Sequence, residues 1–193
     1  SPEAIKKWMP VDLYMGGAEH TVLHLLYARF FTKALHRHGV IPFTEPFQKL
    51  RHQGMILAED GSKMSKSKGN VINPDDVVDL YGADTIRIYE MFMGPLEAMK
   101  PWNTASIIGP RRFLERVWRL SEKTTGHSLG NAETIFHQTI KKVGSDIESF
   151  GMNTAVSQLM ICLNAFEAEG SIPKSAYSDF LKLLAPFAPH LTE

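Results

Sequence analysis

The stretch GSKMSKSKGN, residues 61–70, carries three lysines between two glycines and no acidic residue. An apolar run, GMILA, leads into it, and the turn signal Asn73-Pro74 follows. Cations on a loop with glycine near both ends suit one chemistry above others. They can neutralise phosphate oxygens, whose charge changes as a phosphoryl bond breaks. Such a loop can also close on a ligand and reopen, and Gly61 and Gly69 would permit that motion. Taken alone, a Lys/Ser/Gly segment is equally the composition of a solvated turn. Neither G-x-x-x-x-G-K-[ST] nor G-x-G-x-x-G occurs, so the common phosphate loops do not decide the matter.

Other residues add weight. VDLYM (11–15) runs into Gly16-Gly17, where no Cβ keeps a ligand from the backbone, and Glu19 in the following turn could accept from a ribose hydroxyl. Gly54, expected inside a strand, suggests close approach of a flat ring. His20 and His24 are four apart and share a helix face. As metal ligands they lack a third partner, and Glu19 precedes both rather than standing as in H-E-x-x-H, so no metal and no zinc are expected. Arg112, Arg116 and Arg119 share one helix face. That face reads either as a phosphate contact or as a solvated surface with Glu115 and Glu122 as neighbours.

The elements that would position these groups follow from pattern. VDLYM reads as a strand, residues 18–39 as a largely buried helix, and LRHQGMILA as a second strand. Strand, helix, strand at this spacing is a βαβ unit of a parallel sheet. In such sheets ligands bind beyond the carboxyl ends of the strands, so both loops are expected to line one crevice. Asn73-Pro74 opens a short helix to about Leu80, and GADTIRIYEMFM gives another, ended by Gly94-Pro95. Asn103 or Thr104 caps a helix that bends at Gly109-Pro110. Amphipathic stretches near 131–150, 153–168 and 173–184 follow. The fold class is α/β then all-α, with residues 1–100 as an α/β domain, residues 101–193 as a helical bundle, and the boundary near 94–104.

Composition narrows the class. The formal net charge is zero, so overall charge announces no nucleic-acid partner, although residues 101–120 hold four arginines against one glutamate. A lone cysteine, Cys162, allows no internal disulfide and reads as core. No run reaches the about eighteen apolar residues of a membrane span.

KMSKS, residues 63–67, matches the signature loop of the class I aminoacyl-tRNA synthetases. The segments VDLYMGGAEHTVLHLLYARF (11–30), QGMIL (53–57), KMSKSKGN (63–70), YGADTIRIYEMFMGP (81–95) and RRFLERVW (111–118) resemble the leucyl-tRNA synthetases, in family order. The resemblance covers almost the whole chain. It implies the C-terminal half of a Rossmann-like catalytic domain followed by a truncated anticodon-binding-type bundle. It also implies ligation of L-leucine to tRNA(Leu) through leucyl-adenylate, with ATP, accompanied by Mg2+, as substrate. By match to the family motif, Lys66 and then Lys63 act catalytically on phosphate. Gly16, Gly17 and Glu19 hold the ribose, Gln53, Gly54, Met55 and Ile56 frame the adenine, and Ser65 and Ser67 belong to the same ATP site. His20 and His24 border the aminoacyl pocket, and the arginine face contacts tRNA backbone. No H-I-G-H-like signature occurs, so the chain is expected to be an excised, inactive segment of a monomeric cytoplasmic enzyme, and to self-associate through an exposed sheet edge. The competing class is a non-catalytic tRNA- or nucleotide-binding fragment or paralogue. The missing signature favours the non-catalytic fragment, and the intact KMSKS argues against the paralogue.

Overall fold

The apolar run VDLYM forms strand β1 (Val11–Gly16), which pairs in parallel with β2 (Phe47–His52) from Val11↔Phe47 to Gly16↔His52. The computed structural model describes residues 1–193, which divide into two compact units: residues 1–55 with 97–99, and residues 56–96 with 100–193. Helix α1 (Pro2–Trp8) opens the first unit, with the Ser1 hydroxyl accepting from the Ala4 N–H at 3.3 Å. Helix α2 (His24–Arg37) joins the two strands, so the expected βαβ unit is present.

The expectation of one long, largely buried helix over residues 18–39 fails. Residues Ala18–Thr21 form a separate 3-10 turn, and α2 buries only Leu25 and Thr32. Val22, Leu23, Leu26, Tyr27, Phe30 and Phe31 are all more than half exposed. This unit offers α2 only two strands, the short helix α1 and the connections between them to pack on. Apolar periodicity marks residues fit for burial, but not how many neighbours a unit supplies. Arg29 and Lys33 of α2 both reach Glu45, at 2.8 and 3.0 Å.

LRHQGMILA is also not one strand. Pairing with β1 ends at His52, and Ile56–Leu57 form β3, which pairs in parallel with β4 (Lys100–Pro101) in a separate sheet. The cause lies at Gly54, between the two strands rather than inside one. A Cβ there would overlap the Ala98 carbonyl and stand 2.9 Å from the Glu97 oxygen.

In the second unit, α3 (Pro74–Tyr81) starts as its sequence dictates. The Asn73 side chain accepts from Asp75 N–H at 3.2 Å, Pro74 takes the first turn, and Asp75 and Asp76 face the positive end of the dipole. Gly82, at φ 90, turns the chain into α4 (Ala83–Phe92). Ile86 and Tyr89 of α4 join Val77, Trp102 and Ile107 in one apolar cluster, while Ile88 joins the larger core of the bundle.

The bundle is α5 (Ile108–Leu120), α6 (Ala132–Ser149), α7 (Met152–Ala168), α8 (Lys174–Leu184) and α9 (Pro189–Thr192). A 3-10 turn (Thr104–Ile107), capped by Asn103, leads into α5. Gly109 and Pro110 therefore fall in the first turn of α5, where a proline costs no helical hydrogen bond. On α7, Ala155, Leu159, Cys162, Leu163 and Phe166 form a buried stripe, and Phe166 sits 5.3 Å from Phe136 and 5.7 Å from Phe180. Burial pushes the Cys162 thiol pKa up to about 12. Asp84 of α4 is buried and accepts from the N–H groups of His190 and Leu191 at 3.3 and 2.7 Å. Arg87 donates to the carbonyls of Pro186 and Phe187.

Candidate active site

The lysine loop hangs from β3 and β4 in the second unit. Its entry is a tight turn: Gly61 N–H donates to the Ala58 carbonyl, and Ala58 N–H to Ser62, both at 2.9 Å. Glu59 accepts from Thr104 N–H at 3.0 Å, a bond that holds its carboxyl below the ordinary range. Asp60 is lowered too, chiefly by the Ser62 N–H at 2.9 Å, with the Lys68 charge adding to it. Beside Thr104, Trp102 is buried, and its indole N–H donates to the Thr104 hydroxyl at 3.0 Å. The Tyr89 hydroxyl donates to the Asn103 carbonyl and accepts from Asn103 N–H, both at 2.9 Å.

Within the motif, Met64 packs against the cluster of Val77, Ile86, Tyr89, Trp102 and Ile107. Lys66–Lys68 form one 3-10 turn, and the Ser65 and Ser67 hydroxyls are 2.7 Å apart. Asn70 bonds to Ser65, Ser62 and Lys63. Lys63, Lys66 and Lys68 are all exposed. Met64 inward and three lysines outward make a cationic surface on a fixed base, which is what binding a polyphosphate requires. Gly61 and Gly69 stand at φ 76 and 66, so glycine serves left-handed backbone at both positions.

The first unit carries the other group of residues, at the carboxyl ends of β1 and β2. A Cβ at Gly16 would meet only ordinary contacts, at 3.6 Å or more, so nothing in the chain demands glycine there. At Gly17 a Cβ would overlap the Glu19 carboxylate, which lies over that residue. His52 donates from Nδ1 to the Gly16 carbonyl at 3.0 Å, and its Nε2 faces the Thr21 hydroxyl at 3.5 Å. His24 bonds through Nδ1 to the Tyr14 hydroxyl at 2.8 Å, and Tyr14 stacks on Phe47 at 4.4 Å. His20 is exposed and adjoins Gly16. Of the residues expected to frame adenine, Gln53, Gly54 and Met55 lie in this unit and Ile56 in the other, where it packs against the Trp102 cluster. The close backbone approach read from Gly54 is taken by Ala98.

The three arginines of the α5 face differ in their surroundings. Arg112 and Arg119 are exposed, but Arg116 is two-thirds buried and committed to α7. Its guanidinium donates from Nε to both Glu167 oxygens, at 3.1 and 3.2 Å, and from Nη2 to Glu167 and Asn164. The packing of α7 on α5 brings that carboxylate within reach, and i, i+4 spacing carries no record of it. Arg119, Arg111 and the exposed Trp118 instead line a cavity of about 710 Å3 beside Gly82 and His190, to which no residue of the lysine loop contributes.

Sequence reasoning missed Asn70, His52 and Tyr14. Only Asn70 carried a local signal, as a short amide directly after a left-handed glycine. No group of three His, Cys, Asp or Glu side chains converges to hold a metal.

Residues 1–100 match the tRNA synthetases class I (I, L, M and V), and residues 131–193 match the anticodon-binding domain of tRNA ligases. Among solved structures, the chain is similar to the LeuRS of Agrobacterium radiobacter K84, determined as a ternary complex with tRNA and LeuAMS. Identity is 36%, the TM-score is 0.86, and the match covers 97% of this chain and 27% of that one. It shares its fold with Mycobacterium tuberculosis methionyl-tRNA synthetase, determined with methionyl-adenylate, at 16% identity and TM-score 0.71, over 97% of this chain and 44% of that one. The chain thus spans about a quarter of the first relative and under half of the second. With its KMSKS loop seated on a parallel β-strand pair and followed by a helical bundle, the chain belongs to the class I aminoacyl-tRNA synthetases, as part of the catalytic domain joined to the anticodon-binding domain.

Proposed function

We propose that the chain is the KMSKS-bearing part of a leucyl-tRNA synthetase, which joins L-leucine to ATP as leucyl-AMP and then passes leucine to tRNA(Leu). The observation that carries this reading is the 36% identity to a LeuRS along 97% of the chain. In the first step the leucine carboxylate attacks the α-phosphate and pyrophosphate departs. Lys66, with Lys63 beside it, neutralises the charge that gathers on the leaving oxygens. Ser65 and Ser67 add hydroxyl donors to that surface. Gly16, Gly17 and Glu19 bind the ribose, and the backbone of Gln53–Ile56 meets the adenine. His20 and His24 border the amino-acid pocket, with His24 oriented by Tyr14. Mg2+ arrives with ATP as part of the substrate.

Residues 1–100 form the catalytic portion and residues 101–193 the portion that carries tRNA, where Arg112 and Arg119 meet backbone phosphates. The parent enzyme is a cytoplasmic monomer, and no helix here is long and apolar enough to cross a membrane. The 193 residues alone hold no H-I-G-H-like sequence and do not turn over. In isolation they associate through the open edge of the β1–β2 sheet.

The test is ATP–pyrophosphate exchange by the full-length enzyme with leucine, isoleucine, methionine and valine in turn. Leucine alone should support rapid exchange, and Lys66→Ala should slow it by about 10²–10³. Exchange driven by another of the four amino acids would refute the leucine assignment. A Lys66→Ala rate within twofold of wild type would remove that residue from the mechanism.

A further inference from the structure

We propose that Asn70 is a positioning residue that sets the conformation of the lysine loop. The proposal rests on the assignment of Lys63 and Lys66 to phosphate chemistry. Asn70 follows the last glycine of the loop and is half-buried beneath it. Its amide oxygen accepts from the Ser65 N–H at 2.8 Å. Its amide nitrogen donates to the Ser62 hydroxyl at 3.0 Å and to the Lys63 carbonyl at 3.4 Å. The amide orientation follows from the partners, because a backbone N–H can only donate and a carbonyl can only accept.

One side chain therefore ties together three points of the loop: the residue before Lys63, Lys63 itself, and the residue before Lys66. Gly69, at φ 66, turns the backbone so that Asn70 comes back under Ser65. The Lys66–Lys68 turn closes above it, with Lys68 N–H donating to the Ser65 carbonyl at 3.1 Å and Gly69 N–H to the Lys66 carbonyl at 3.2 Å. Met64 fixes the inner side of the loop in the Trp102 cluster. Without Asn70 that anchor remains, but nothing else described bonds the Ser65 N–H. Lysines on unbraced backbone sample many positions, and displacement of a reacting group by about 1 Å costs about 10²-fold in rate. Asn70 touches no reacting atom. It acts through the lysines.

The experiment uses the full-length synthetase, with Asn70→Ala and Ser62→Ala, in two assays. In ATP–pyrophosphate exchange, Asn70→Ala should lower kcat by about ten- to a hundredfold while the leucine KM stays within about threefold, because the brace serves the charge that develops on pyrophosphate and not leucine binding. In limited trypsinolysis mapped by mass spectrometry, cleavage after Lys63, Lys66 or Lys68 should be at least about threefold faster than in wild type. Ser62→Ala removes one acceptor only and should move both readouts the same way by less. The double variant should lose less than the sum of the two. A kcat within about threefold of wild type, a loss confined to the leucine KM, or an unchanged cleavage rate overturns the proposal. If Asn70→Ala does not fold, Ser62→Ala decides by cleavage rate alone. A wild-type enzyme without leucine-dependent exchange refutes the proposed function, while the cleavage assay still decides whether Asn70 braces the loop.

Discussion

Replacing Arg116 with alanine separates two roles that the sequence merges. If Arg116 served tRNA alongside Arg112 and Arg119, its loss would weaken tRNA binding and leave stability unchanged. The structure gives it to α7 instead, through both Glu167 oxygens and Asn164. Both side chains of the ion pair are about one-third exposed, at 33% and 35%, so water screens part of the attraction. A surface pair is worth up to about 1 kcal/mol, and leaving a carboxylate that is about two-thirds buried without its donor adds about as much again, so the expected cost is about 1–2 kcal/mol. At about 2–4 °C per kcal/mol for a chain of this size, the melting temperature should fall by about 2–8 °C. Arg112→Ala and Arg119→Ala, on exposed positions, should stay within about 0.5 kcal/mol of wild type. Differential scanning calorimetry of the three variants, paired with tRNA binding at several salt concentrations, provides the readout. Arg112→Ala should lower the salt slope by about one contact, and Arg116→Ala should not. An Arg116→Ala protein that melts with wild type and loses one unit of salt slope would refute the reasoning.

Two further outcomes follow from the first unit. Gly54→Ala should destabilise the protein by about 1–3 kcal/mol in urea titration, because the added carbon meets the Ala98 backbone rather than a movable side chain; a variant as stable as wild type would show that the 97–99 segment yields freely. Arg29 first and Lys33 second hold the Glu45 pKa at about 2 against an ordinary 4.5, so the stability this carboxylate contributes is present above about 4.5 and lost as pH falls towards about 2. Glu45→Gln should remove that part of the acid dependence, and identical acid-unfolding curves for the two proteins would show that the contacts with Arg29 and Lys33 contribute nothing.

Local chemistry wrote much of the fold into the sequence. Asn73-Pro74 marks the start of α3 because one amide cap and one fixed φ suffice. Helices α6, α7 and α8 are legible because their apolar stripes have partners in the same bundle. The interruption between β2 and β3 was not legible. It depends on Ala98, more than forty residues on, passing against Gly54. The exposure of α2 escaped for the opposite reason: its residues are suited to a core that two strands do not provide. At the site, the lysines were visible because three like charges on one short loop show in the sequence itself. The frame beneath them, Glu59 on Thr104 and Tyr89 on Asn103, joins separate segments through one or two hydrogen bonds each, which leave no periodic trace.

Helix α4 contributes to the cluster under the lysine loop through Ile86 and Tyr89, and to the bundle core through Ile88. Its polar residues Asp84 and Arg87 bond to a stretch 99 to 107 residues further along the chain. On the ribosome this makes folding order a matter of time. Synthesis at about 5–20 residues per second puts about 5–20 s between the appearance of α4 and of the segment that clamps it. Through that interval α3, α4 and the loop they carry lack their distal fastening, and Ile88 lacks the helices that bury it. A nascent chain therefore displays its cationic loop well before the loop has a rigid mount, and such loosely held apolar helices are what chaperones bind. Chain closure at residues 186–191 is the event that completes the fastening of α4, the helix that supplies Ile86 and Tyr89 to the cluster under the loop.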